Sequence, residues 1–324
     1  MNIRLALRRL AERHQLSPEQ SEQLFELAAS GGIPHSLASK AAFGTAVIGA
    51  ALSGFGIILW VAANWDTLGR ASRFALLESV IVTMCVGAFL RPAARVPLSI
   101  LTLLGIGGLF AFFGQTYQTG VDPWQLFAWW SFLSLPLCAG VRHDALWTPW
   151  TLVTATGISL WVHAHTGYAW RVNPSDLSVH LAGWTAALLL AFALSLPFRA
   201  YTGAGPVSMR LALTLAIFAV TATAMGGLFE QQRTLQFWLG LLMLGVAALV
   251  FTRGRFHDLF ALSVLGLALN CLLVGLLVDI LIDTRMDIIG VLLAVGSAAA
   301  CLLAGTVHYI VSLSRRPNAD GGAA

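Results

Sequence analysis

Apolar side chains fall along this chain in ten long runs, at residues 41–63, 72–90, 97–114, 124–140, 145–164, 178–198, 208–229, 234–252, 257–280 and 288–313. Each is near the ~20 residues that a helix needs to cross a bilayer, and short polar links separate them. The forty residues before the first run read differently. Ile3, Leu5, Leu7 and Leu10 alternate with Arg4, Arg8, Arg9 and Arg13, the pattern of a basic amphipathic helix over Asn2 to Gln15. A second helix opens at Ser17-Pro18-Glu19-Gln20: Ser17 caps exposed amides, Pro18 suits the first helical position, and Glu19 and Glu22 oppose the helix dipole. Leu24, Phe25 and Leu27 form its stripe, and Gly31-Gly32 ends it. The expected fold is all-α: a polytopic bundle of ten transmembrane helices over 41–313, a helical hairpin over 1–40 on the cytoplasmic side and a disordered cytoplasmic tail over 314–324.

Composition agrees and excludes the soluble classes. Apolar residues make up 57% of the 324 positions and charged residues 10%, where a soluble chain has roughly 25% charged. The mean hydropathy is +0.78. The formal charge is only +4, so no nucleic-acid partner is implied. The basic residues instead sort by side. With the N-terminus in the cytoplasm, fourteen of the 19 fall in cytoplasmic segments and five, Arg70, Arg73, Arg171, Arg233 and Arg285, in outer loops. That bias sets both termini inside, and because the first apolar run begins only near Ala41, after forty residues rich in charge, it is expected to be an uncleaved anchor. Cys85, Cys138, Cys271 and Cys301 lie in apolar stretches without C-x-x-C spacing and read as small hydrophobes.

The outer ends are rich in acids and amides: Asn64, Asp66, Gln115, Gln118, Asp122, Asp176, Glu230 and Asp279. They mark either a polar site or simply acids facing water. Glu78 is the sharper signal, six residues into the second run and thus about 9 Å deep at ~1.5 Å per residue. At that depth an ionised group costs roughly 2–3 kcal/mol unless it pairs, meets water or is protonated. It is read either as a substrate or coupling residue or as a structural partner of Arg73. Trp60, Trp65, Trp124, Trp147, Trp150, Trp161 and Trp170 sit near run ends as an aromatic belt, whereas Trp129 and Trp130 lie deeper, beside the Asp122 loop. The expected substrate site therefore gathers Asn64, Trp65, Asp66, Glu78, Gln115, Tyr117, Gln118, Asp122 and Trp130. Asn270, in the middle of the ninth run, reads as an interhelical hydrogen bond.

Other chemistry finds little footing. His163 and His165 point about 200° apart on a helix, so no metal site is expected with His180 and Asp176, and no catalytic residue or cofactor is assigned. A single lysine, Lys40, removes any P-loop or intramembrane Schiff base, which leaves an enzyme the less favoured class.

Three segments resemble a known family. Leu16-Ser17-Pro18-Glu19-Gln20, Ala62-Ala63-Asn64-Trp65 at the end of the first run, and Gly114-Gln115-Thr116-Tyr117 at the end of the third, followed by Asp122 and an aromatic fourth run with Pro136, resemble the bacterial membrane family called domain of unknown function 2157 over residues 1–140. The resemblance implies an inner-membrane protein with a cytoplasmic hairpin and no agreed activity. The expected function is binding or transport of a small molecule or lipid-linked envelope intermediate through an outward-facing polar cavity. The alternative is a non-transporting scaffold that recruits partners by its hairpin and outer loops. Expected partners are membrane lipids, such a ligand, and a membrane or cytoplasmic protein.

Overall fold

The computed structural model of the chain describes residues 7, 10–30, 35–64, 69–117, 120, 122–167, 171–230, 233–252, 258–283 and 287–314. Among them there is no strand. Most of the expected first helix, the Gly31-Gly32 stop and the tail from 315 onward lie outside the described residues; Leu10–Arg13 is helical. The chain then turns at Gln15 through a left-handed backbone. Helix α1 (Pro18–Ser30) begins with a reciprocal capping box, in which the Ser17 amide donates to Gln20 Oε1 (3.0 Å) and the Gln20 amide to Ser17 Oγ (3.3 Å).

Among the described residues ten long helices follow, one on each expected run: α2 (His35–Ala63), α3 (Arg70–Leu90), α4 (Arg95–Tyr117), α5 (Pro123–Val141), α6 (Asp144–His165), α7 (Leu177–Ala193), α8 (Pro206–Leu228), α9 (Leu235–Phe251), α10 (Leu259–Asp283) and α11 (Ile288–Ser314), with a single helical turn at Arg199–Thr202 between α7 and α8. Seven of them, α2, α3, α4, α7, α8, α10 and α11, are long and apolar enough to cross a membrane. Helix α9 is apolar but has 17 residues, while α5 and α6 carry many tryptophan, serine and threonine side chains that lower their hydropathy. The protein is thus an all-α multi-pass bundle in which seven spans, not ten, meet both requirements.

The helices form a row. Helices α2 and α3 both pack on α4, α4 meets α5 and α6, α6 meets α7 and α8, and α8 meets α9 and α10; α11 packs on α10. The expectation that consecutive spans are neighbours fails at α2 and α3, which flank α4 instead: Gly108 of α4 faces Ile58 of α2 and Leu77 of α3. The main core runs from Ile100 and Leu103 of α4 through Trp147 and Trp184 to Phe237 and Leu272, with α8 at its centre. Trp147 and Trp150, expected in an interfacial belt, are instead buried, with indole nitrogens donating to the carbonyls of Thr202 (2.8 Å) and Ser131 (2.9 Å). A tryptophan whose N–H finds a protein carbonyl no longer needs interfacial water.

Polar ties fix the directions of the C-terminal helices. The Asp144 carboxylate, at the start of α6, accepts from the amides of Gly205 (2.9 Å), Val207 (3.0 Å) and Ser208 (3.0 Å), capping α8 from another helix. Burial raises its pKa, but the bonds from the Ser208 hydroxyl and these three amides outweigh that and hold it below the usual value. Arg142, also in a left-handed conformation, donates to the Ala200 carbonyl, and its own carbonyl leaves no room for a Cβ on Gly203. Arg210 of α8 pairs with Asp258 before α10 (3.4 Å), and Arg233 before α9 pairs with Asp279 at the end of α10 (2.8 Å). Helices α6, α8 and α10 therefore run one way and α9 the other. Arg142, Arg199 and Arg210 mark the arginine-rich end of the bundle, and Asp122, Asp176 and Asp279 its acidic end. Asn270 of α10 donates to Thr306 Oγ1 of α11 (3.1 Å), the interhelical bond expected of it.

Candidate functional site

Of the nine expected site residues, Trp65, Asp66 and Gln118 lie outside the described residues, and of Tyr117 only the helical backbone is described. The Asn64 amide folds back on its own helix, donating to the Trp60 carbonyl at 2.9 Å. Gln115 is exposed in the last turn of α4, and half-buried Asp122 stands at the N-cap of α5, so the short link between them brings these two to one end. Glu78 is exposed on α3, about 100° around the helix from Leu77, the residue that packs against Phe112 of α4. Its carboxylate makes no ion pair or hydrogen bond among the described residues. Trp130 is an interior wedge: its Nε1 donates to the Leu103 carbonyl (2.8 Å), and its ring occupies the space that a Cβ on Gly107 would need. None of the nine lines a described cavity.

Two cavities instead flank α6. The first is a groove of about 560 Å³ between α5, α6 and α7. Trp124, Phe127, Phe132, Trp150 and Trp161 wall it, and Ser131 and Thr154 supply its polar floor. Their hydroxyl oxygens are 2.6 Å apart, with Thr154 also reaching the Trp150 carbonyl (2.9 Å). Phe127 comes close to α6 because position 157 is glycine. The groove rises toward the acidic end, where the Trp124 ring lies 6.1 Å from that of His165, which in turn stacks on Trp161 at 4.5 Å. Trp124 follows Asp122 by two residues, so the groove, which sequence reasoning missed, begins close in sequence to an expected site residue that does not line it. Aromatic walls with a few placed hydroxyls are the usual make-up of a pocket for a largely apolar ligand, and the volume lies in the range of roughly 300–1,000 Å³ for such sites.

The second cavity, about 440 Å³, lies between α6, α7 and α8, with His180 and Trp184 in its wall. A third, of about 760 Å³, opens between α10 and α11 beside Asn270, Cys301 and Thr306. The lower hydropathy of α5 and α6 was the available signal: helices that spend side chains on hydroxyls and indoles inside a membrane bundle are building something besides a span.

Fold and site together define an α-helical multi-pass membrane protein. Residues 8–147, from before α1 to the first turn of α6, match the model of the family described as Predicted membrane protein (DUF2157), the family that the Asn64-Trp65 and Gln115-Thr116-Tyr117 motifs resemble. No curated protein and no solved structure matches the chain.

Proposed function

We propose that this protein binds, and in moving it across the membrane would transport, a membrane-resident amphiphile: a lipid or a lipid-linked envelope intermediate. The observation that supports this reading is the aromatic groove between α5, α6 and α7, whose walls suit an apolar chain; His165, whose ring lies 6.1 Å from that of the lining Trp124, and Asp122, two residues before Trp124, would meet a polar head. The arginine bias supports a bacterial inner membrane with both termini in the cytoplasm, which would turn the acidic end and the groove mouth outward. Asn64, Trp65, Asp66, Glu78, Gln115, Tyr117 and Gln118 would then share that outer surface. Native mass spectrometry of the gently purified protein tests the reading. Retained lipid is expected in the wild type and in Glu78→Gln, and its loss in Trp161→Ala and in Asp122→Asn. Equal lipid retention in all four proteins would overturn it.

A scaffold is the second reading, favoured by α1, which among the described residues makes no extended contact with the spans and would offer its stripe to a partner protein. Deleting residues 2–30 would then abolish co-purification of that partner and leave membrane insertion intact.

A further inference from the structure

At the acidic end, where α7 starts, α8 ends and α9 starts, a set of buried polar atoms has no partner. His180 is 6% exposed, Trp184 3%, Thr234 4% and Gln236 0%. Among the described residues, both ring nitrogens of His180, Nε1 of Trp184, Oγ1 of Thr234 and Oε1 of Gln236 are without hydrogen-bond partners. Gln236 Nε2 donates to the Asn173 carbonyl (2.8 Å), which joins the start of α9 to the turn leading into α7, so the two helices run parallel from that end. One turn deeper, the Trp184 ring lies against Gly240, its Cη2 3.7 Å from where a Cβ would stand. His180 and Gln236 each precede that contact by four residues and thus lie at one level on adjoining helices. A buried polar atom left unpaired loses its hydration with nothing in return, which is a strong reason for a hydrogen-bonding guest.

The surroundings describe that guest. His180 and Trp184 line the 440 Å³ cavity, and the remaining wall is mostly apolar, reaching Leu190 and Ala212. Ten residues of helix separate His180 from Leu190, about 15 Å at 1.5 Å per residue, room for an alkyl chain. The orphan groups themselves bear no fixed charge, and the carboxylate whose charge reaches His180, that of Asp176, would repel an anion. Of these groups His180 and Trp184 line the cavity, where Trp184 offers a donor and a neutral His180 one donor and one acceptor. A hydroxyl head, which both donates and accepts, complements the set; a quaternary ammonium or a phosphate does not.

We propose that the α6–α7–α8 cavity is a binding site for an uncharged, hydroxyl-headed, single-chain lipid such as a monoacylglycerol, its head against His180 and Trp184 and its chain along α7 and α8. The site is separate from the aromatic groove and stands whether or not the groove binds lipid. The test uses full-length protein in detergent, with monooleoylglycerol as probe, oleate at pH 9 as the anionic control, and binding read from the thermal shift. Saturable stabilisation by monooleoylglycerol is expected, at least tenfold weaker for oleate. Trp184→Phe, which removes only an N–H, and His180→Phe should each weaken monooleoylglycerol binding at least tenfold, whereas Ser263→Ala, on the exposed face of α10, should leave it unchanged. If both variants fail to fold, quenching of wild-type tryptophan fluorescence by a brominated monoacylglycerol, but not by brominated oleate at pH 9, supports the proposal. No stabilisation of the wild type would mean that water fills the site; that result, equal binding by the two variants, or tighter binding of oleate would overturn it.

Discussion

The middle of the row and its two ends obey different rules. Helix α8 is enclosed by α6, α7, α9 and α10, and Ala212, Ala216, Val220, Ala224 and Leu228 on it are all but sealed. Helices α2, α3 and α11 each show the surroundings a broad apolar face: Phe55, Phe89 and Leu292 are 57%, 79% and 68% exposed. In water such faces would demand a partner, but lipid tails are as apolar as leucine, so a peripheral membrane helix gains little by burying them. The middle is therefore held by packing and hydrogen bonds, and both candidate ligand cavities sit there, where fixed walls make a defined shape.

The sharpest way to break this contrast is to cut into both regions with the same substitution. Phe237→Ala, at a fully buried site, should destabilise the protein by about 3–5 kcal/mol, read from reversible unfolding in mixed micelles, whereas Phe89→Ala should change stability by less than about 0.5 kcal/mol. Similar losses would mean that the ends are packed against something and that the contrast is false. Next in size, Asp144→Ala should cost about 2 kcal/mol, because three amides at the start of α8 lose a charged acceptor. Since the folded carboxyl is held below its ordinary pKa, its contribution is full at neutral pH, begins to fall as the pH drops toward the ordinary carboxylate value near ~4, and is lost below the folded value. Asp144→Asn should flatten that part of the stability profile between pH 3 and 6. Between middle and end, the Asn270–Thr306 pair should show a coupling of ~0.6–1.7 kcal/mol in the cycle Asn270→Leu, Thr306→Val. Zero coupling would leave α11 attached by contact alone.

The family-matched segment and the core also differ. Residues 8–147 hold the exposed helices α2 and α3, while the enclosed helix α8 begins only at Pro206. The motifs legible in the sequence are concentrated at the first of these.

Every apolar run became a helix because the bilayer forces backbone amides to pair within the segment, and hydropathy reads that directly. The Ser17–Gln20 box was legible for the same local reason: both partners lie within one turn. The site was not. Trp130 looked like a ligand contact from its depth, yet what decides its role is Leu103 and Gly107, more than twenty residues away. Trp150 reads as part of an interfacial belt, and nothing local marks Ser131 and Thr154; their hydrogen bonds join α5 to α6 and appear only when those helices are set side by side. His180 had been weighed only against a metal; its isolation depends on α8 and α9, which no local spacing reveals.

The central place of α8 carries a consequence for synthesis. The helix on which α6, α7, α9 and α10 converge leaves the ribosome after more than half the chain, so the earlier helices enter the membrane before their common partner exists. Until Gly205, Val207 and Ser208 emerge, the Asp144 carboxylate lacks the three amides it holds. It is a charged latch at the membrane surface awaiting its catch, and the chain acquires a single arrangement only when that latch closes.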